Sequence, residues 1–194
     1  MYRRLLPILS ALILGMAPAM AQLPRTPQSY IAEGTALHQK GQYRQALEKY
    51  NKAIELNATY DQAYYQMAQA YYSLKEYGKC IAHCDLALNQ KVTEYQPEAN
   101  LLKGNALYAM GEYTSANEAY AHSLEAEANY QTYYALAKSQ YKAKLPKKAQ
   151  ESLSLALSLK STHAESHLLL SIIMEEQGEY QPAAFFPLTL LLLV

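Results

Sequence analysis

Small residues at Gly34, Ala68, Gly104, Ala137 and Ser171 stand 34, 36, 33 and 34 positions apart. A second series, Ala46, Cys80, Ala116, Ala149 and Ala183, repeats the same four intervals, and a third, Ala53, Ala87, Ser123 and Ala156, follows them as far as it runs. Three independent series with one set of intervals describe five copies of one unit. No other property of this 194-residue chain constrains its fold as tightly, because units of this length cannot bury their apolar faces alone and must stack on one another.

Within a unit the period is helical: Tyr43, Ala46, Leu47, Tyr50, Ala53, Ile54 and Leu56 recur three and four apart. Between two such stretches stands a turn, at Gly41-Gln42-Tyr43, Lys75-Glu76-Tyr77, Gly111-Glu112-Tyr113, Lys144-Leu145-Pro146 and Gly178-Glu179-Tyr180. Glycine closes the carbonyl end of a helix because it takes positive φ without steric cost. Each unit therefore reads as helix, tight turn, helix. The small residues have a physical reason, since two helices approach closely only where their side chains nearly vanish and a neighbouring large residue fills the adjacent hole.

These motifs resemble the tetratricopeptide repeat, whose pattern is Trp-x2-Leu-Gly-x2-Tyr, then Ala-x3-Phe, then Pro. The first unit offers Tyr30, Glu33, Gly34 and Leu37 followed by Ala46 and Tyr50; the second offers Tyr64, Met67, Ala68 and Tyr71 followed by Cys80 and Cys84. The third offers Asn100, Lys103, Gly104 and Leu107 with Ala116 and Tyr120, and the fourth Tyr133, Leu136, Ala137 and Gln140 with Ala149 and Leu153. The closing proline is replaced by Ala58, Ala128 and Ser161. The resemblance covers about residues 27–183 and implies an all-α solenoid of helix-turn-helix hairpins with a concave and a convex side. Four units are complete (27–60, 61–96, 97–129, 130–163) and a fifth, 164–183, is truncated.

The two ends depart from the repeat. Arg3 and Arg4, an apolar run from Leu5 to about Met16, and Ala19-Met20-Ala21 form the three parts of a secretory signal peptide, with cleavage expected after Ala21 and residues 22–26 left as a short linker. A membrane anchor would need roughly 20 apolar residues, and Pro7 and Pro18 break this run. No cysteine sits near the cut to carry a lipid, so the mature chain is expected to be free of stable membrane insertion and periplasmic or secreted. At the other end Pro182 and Pro187 interrupt the fifth unit, and 184–194 form a hydrophobic tail instead of the polar cap an array requires. Truncation or misreading after about Ala183 accounts for that, with a docking or oligomerisation tail as the other reading. Loss of Arg3 and Arg4 leaves 15 basic and 17 acidic residues, a balance that attracts no nucleic acid through long-range charge.

The resemblance also implies where a partner would lie, against the concave face on the first helix of each unit. That register places Gln28, Ile31, Thr35 and His38 in the groove from the first unit and Gln62, Tyr65, Gln69 and Tyr72 from the second. It adds Glu98, Leu101, Asn105 and Tyr108 from the third and Gln131, Tyr134, Lys138 and Tyr141 from the fourth. Rigid aromatic rings supply contact area at low entropic cost, and amides can bond an extended backbone. Tyr64, Tyr71, Tyr77, Tyr113 and Tyr120 match joint positions. Tyr65, Tyr72, Tyr108, Tyr134 and Tyr141 are expected to be exposed, because adjacent helical residues point to different sides. The carboxylate clamp of members that hold chaperone tails is absent, since Ile31, Thr35, Gln66, Glu98 and Leu102 stand at its places.

Cys80, His83 and Cys84 share one helical face and could in principle offer zinc two thiolates and an imidazole. Cys80 and Cys84 fall, however, on the joint positions that hold Ala46 with Tyr50 and Ala116 with Tyr120 elsewhere, so buried packing is expected. His163 and His167 are four apart, but Ala164 follows the first where a metalloprotease needs glutamate. No phosphate loop or nucleophile motif is present. The expectation is a non-enzymatic scaffold or adaptor of the cell envelope, without cofactor or metal, that binds another protein or an extended peptide. Glycan binding on tyrosine platforms and a metal site at Cys80, His83 and Cys84 are the alternatives.

Overall fold

A computed structural model describes residues 25–89 and 94–178, so the expected signal peptide, the hydrophobic tail and most of the expected linker before the first helix lie outside the described residues. The described chain forms α1 (Pro27–Gln39), α2 (Tyr43–Leu56), α3 (Asp61–Ser73), α4 (Tyr77–Leu88), α5 (Gln96–Met110), α6 (Tyr113–Ala126), α7 (Tyr130–Lys142), α8 (Pro146–Leu159) and α9 (Ala164–Glu176), with no strand among them. Each of α1, α3, α5 and α7 pairs with the even-numbered helix that follows, and each even-numbered helix packs on the odd-numbered helix after it. The solenoid of helical hairpins expected from the period is the observed fold.

The helix-to-helix turns are built alike. The residue at 41, 75, 111 and 144 is left-handed in every one, with φ of 75°, 59°, 83° and 62°, and Gly178 after α9 is left-handed as well, with φ of 70°. In the first turn Gln42 N–H donates to Leu37 O at 3.0 Å and Gly41 N–H to His38 O at 2.9 Å. The same pair of bonds recurs from Glu76 and Lys75, from Glu112 and Gly111, and from Leu145 and Lys144. This double closure satisfies carbonyls that the helix end leaves open. At Lys75 and Lys144 a side chain sits where only glycine is unstrained. That strain costs about 1–2 kcal/mol, against roughly 0.5–1 kcal/mol of extra chain entropy for glycine. Lys75→Gly and Lys144→Gly are each expected to raise stability by about 0.5–1 kcal/mol in urea denaturation.

The joint between paired helices explains why the small residues alternate between glycine and alanine. A Cβ on Gly34 would stand 2.4 Å from the Tyr50 ring, and one on Gly104 would stand 2.5 Å from the Tyr120 ring. Where the facing residue shrinks, alanine replaces glycine: Ala68 packs with Cys84, and Ala137 with Leu153. The pairs exchange volume at constant packing density. Ile31 departs from its expected place in the groove. It is buried with Ala46, Tyr50, Ala63 and Met67, because its short branched side chain stays below the surface that the longer Tyr65 and Tyr134 reach.

The odd-numbered helices touch one another in series, α1 with α3, α3 with α5, α5 with α7 and α7 with α9, while the even-numbered helices make no such contacts among the described residues. The layer whose members meet is the inner side of the curve, and the layer whose members splay is the outer one. No helix of the described residues is long and apolar enough to cross a membrane.

Candidate functional site

All ten groove candidates, Gln62, Tyr65, Gln69, Tyr72, Leu101, Asn105, Tyr108, Tyr134, Lys138 and Tyr141, lie on inner helices and all ten are half-buried. The five tyrosines among them are thus less exposed than helical geometry alone suggests, because each leans on a neighbour. Tyr65 stacks on Tyr95 at 5.1 Å. Tyr72 packs on Tyr77 and Tyr108 on Tyr113, both at 5.5 Å across the helix-to-helix turn, as His38 packs on Tyr43 at 5.0 Å in the first unit. Tyr134 meets His163 edge-on at 5.1 Å, and the Tyr141 hydroxyl donates to Glu176 Oε1 at 2.6 Å. Burial pushes the pKa of Tyr65, Tyr72, Tyr108 and Tyr134 upward, so their hydroxyls remain donors.

Two clefts lie side by side on this face. One, of about 290 Å³, is bounded by Tyr72 on α3, Asn105 and Tyr108 on α5, Tyr120 on α6, and Ala135 and Lys138 on α7. The other, of about 190 Å³, lies between Tyr134, Lys138 and Tyr141 on α7 and Glu165, Leu168, Leu169 and Ile172 on α9, and is reached by Tyr108 as well. Tyr108 and Lys138 belong to both. A third cleft, of about 360 Å³, is lined by Glu98, Leu101, Glu127 and Gln131 near the connections between units. Gln62, Tyr65 and Gln69 line none of these three. They bond locally, Gln69 Nε2 donating to the Tyr65 hydroxyl at 2.8 Å and the Tyr60 hydroxyl donating to Gln62 Oε1 at 2.6 Å.

The structure adds residues that the register had not supplied. Tyr120 fills a joint, yet it also lines the cleft, and its hydroxyl donates to Asn105 Oδ1 at 2.9 Å, which fixes the amide. Glu165, Leu168 and Ile172 continue by 34 the positions of Gln131, Tyr134 and Lys138. The repeat interval therefore points to them as well.

The metal alternatives meet a different geometry. Cys80 and Cys84 are fully buried beside Ala68 and Ala106, and a hydrogen bond to Cys80 together with burial pushes the Cys84 thiol upward. His83 turns away from them and stacks on Tyr71 at 5.0 Å and Tyr64 at 6.4 Å. His167 Nε2–H donates to Ser161 O at 2.8 Å, and the His163 ring is held by Tyr130 and Tyr134. Among the described residues no three His, Cys, Asp or Glu side chains gather as a metal site.

Burial, and secondarily Lys79, holds the His83 pKa below its usual value, and its Nδ1 is buried without a hydrogen-bond partner. The unfolded chain therefore binds the proton first. Stability is full above about pH 6.5 and falls as acid drives the imidazole to protonate. His83→Phe, which keeps a ring against Tyr71, is expected to flatten the loss between about pH 7 and pH 5 in paired denaturation curves.

Comparison with known proteins follows the same lines. A family model described as TPR repeat matches residues 34–75, and one described as tetratricopeptide repeat matches 61–91. The chain carries tetratricopeptide repeats across residues 34–91. A search of curated proteins returned no match. Among solved structures, MamA (residues 41 to the end) from Desulfovibrio magneticus RS-1 superposes with a TM-score of 0.71 at 19% identity, over 79% of this chain and 86% of that one. YrrB, described as a TPR protein with an unusual peptide-binding site, gives 0.68 at 16% identity over 89% of this chain and 84% of its own. PilF of Pseudomonas aeruginosa gives 0.69 at 20% identity, over 79% and 70%. At these identities the likeness is one of fold.

Proposed function

We propose that this tetratricopeptide repeat protein is a non-enzymatic scaffold of the bacterial cell envelope that holds a protein segment along its inner face. The observation that carries the reading is the pair of neighbouring clefts across α3, α5, α7 and α9, which share Tyr108 and Lys138 in their walls. Half-buried rings and a fixed amide suit an extended backbone, since preorganised groups lose little entropy when a ligand binds. YrrB, similar in fold, is described as having a peptide-binding site. The glycan alternative is disfavoured by the rings themselves, because the stacking faces a sugar would use are partly taken by Tyr95 on Tyr65 and by Lys138 on Tyr108 and Tyr134. The envelope assignment rests on Arg3, Arg4, the apolar run and Ala19-Met20-Ala21.

The test is crosslinking in the native cell with a photoreactive residue in place of Tyr72 or Tyr108, followed by mass spectrometry of the fractionated envelope and cytoplasm. One dominant protein captured from both positions, on molecules that begin at Gln22, is the expected result. Crosslinks to glycan alone, or none from either position, would remove the groove reading, and a retained Met1 would remove the export reading.

A further inference from the structure

The two clefts share Lys138 in their walls, and the chemistry around that ammonium specifies what a bound segment must carry. Its Nζ lies 5.2 Å from the centre of the Tyr108 ring and 5.5 Å from that of Tyr134. No carboxylate pairs with it among the described residues. The aromatic faces that would attract a cationic ligand are thus filled by the chain's own cation. A ligand that covers this ammonium must satisfy it, because a charge removed from water without a partner is costly. Only an anionic or strongly accepting group does so.

On the α9 side the wall is apolar except at Glu165. Leu168 and Ile172, one helical turn apart, are 64% and 38% exposed, and Lys142 adds a second positive charge to the lining while Glu165 supplies one negative charge. At about 190 Å³ this cleft is smaller than the roughly 300–1,000 Å³ typical of drug-sized ligands. It has room for one large side chain.

We propose, building on the groove-binding function above, that the anchor of the partner is an acidic side chain at Lys138 beside a large apolar side chain on Leu168 and Ile172. The partner is then an extended protein segment in which Asp or Glu neighbours Leu, Ile or Phe. The acid faces Lys138 and keeps away from Glu165, which fixes the direction in which the segment runs across α7 and α9.

The test selects a phage-displayed library of random peptides on the immobilised full chain, with Lys138→Gln, Lys138→Glu and Leu168→Ser in parallel. Circular dichroism of each variant checks that it is folded. The expected outcome is enrichment of Asp or Glu close to a large apolar residue, with the best synthetic peptide bound about tenfold more weakly by Lys138→Gln. Lys138→Glu should select basic peptides instead, and Leu168→Ser should lose the apolar preference. Raised salt should weaken wild-type binding. Peptides that bind and compete with crosslinking at Tyr108 but show no acidic preference would overturn this anchor and leave the groove function standing. If no peptide is enriched, both fall; a chain that enriches nothing and runs as a dimer would assign the cleft to a second copy.

Discussion

Gly104→Ala is expected to cost about 2 kcal/mol, although alanine is the better helix former. The added Cβ would lie 2.5 Å from one Tyr120 ring carbon and 2.6 Å from another, about an ångström inside contact distance. Tyr120 is 1% exposed, and its hydroxyl is held by Asn105, so the ring has nowhere to go and α5 must move off α6. Overpacking of this kind costs roughly 1–3 kcal/mol and can exceed that when the backbone must shift, against a helix-propensity gain of about 1 kcal/mol. The clash wins.

The compensating change is already written elsewhere in the chain, where Ala137 faces Leu153. Tyr120→Leu alone should destabilise through the void it leaves, and the double variant should recover most of what the two lose separately. Urea denaturation of the four proteins gives the coupling energy directly. Additive losses would show that the glycine and the ring are not one joint. The repaired double variant should still bind its partner less well, because Asn105 loses the hydroxyl that orients it in the cleft.

The legibility of the fold follows from what the repeat selects for. Joint positions must be small in every unit, so Gly34, Ala68, Gly104 and Ala137 announce themselves, and turns must tolerate positive φ, so Gly41 and Gly111 do too. Groove positions have no such rule. Their residue type varies with the ligand, and only the register of 34 points to them. The register points to the inner face of α3, α5 and α7, but it does not say that Tyr108 and Lys138 border two clefts at once, that Gln69 bonds Tyr65 or that Gln62 bonds Tyr60. Those outcomes depend on which neighbour a long side chain leans on. Ile31 failed for a related reason, since position sets direction but side-chain length decides what reaches the surface. Tyr120 was legible as a joint and illegible as a cleft residue, because the joint position alone does not say that the ring also lines a cleft.

Ile173→Ala is expected to release α9 while leaving the first hairpins intact. Ile173 is fully buried against Ala137, Ala149 and Leu153, and it is the one large fully buried side chain α9 contributes among the described residues. Removing three carbons from such a site costs about 2–5 kcal/mol. In a stacked array each unit depends on its neighbours alone, so the loss falls on the end of the stack instead of spreading through it. Amide hydrogen exchange should show α9 losing most of its protection, α7 and α8 losing some, and α1 to α4 none. The consequence for binding is selective. The cleft that holds an apolar side chain loses Leu168 and Ile172 with α9, whereas the cleft at Tyr72, Asn105 and Tyr120 keeps its walls. Peptide affinity should then drop about tenfold or more, while photocrosslinking from Tyr72 persists. Uniform loss of protection across all helices would mean that the units fold as one cooperative block, and loss of crosslinking at Tyr72 would mean that the segment is held first by α9.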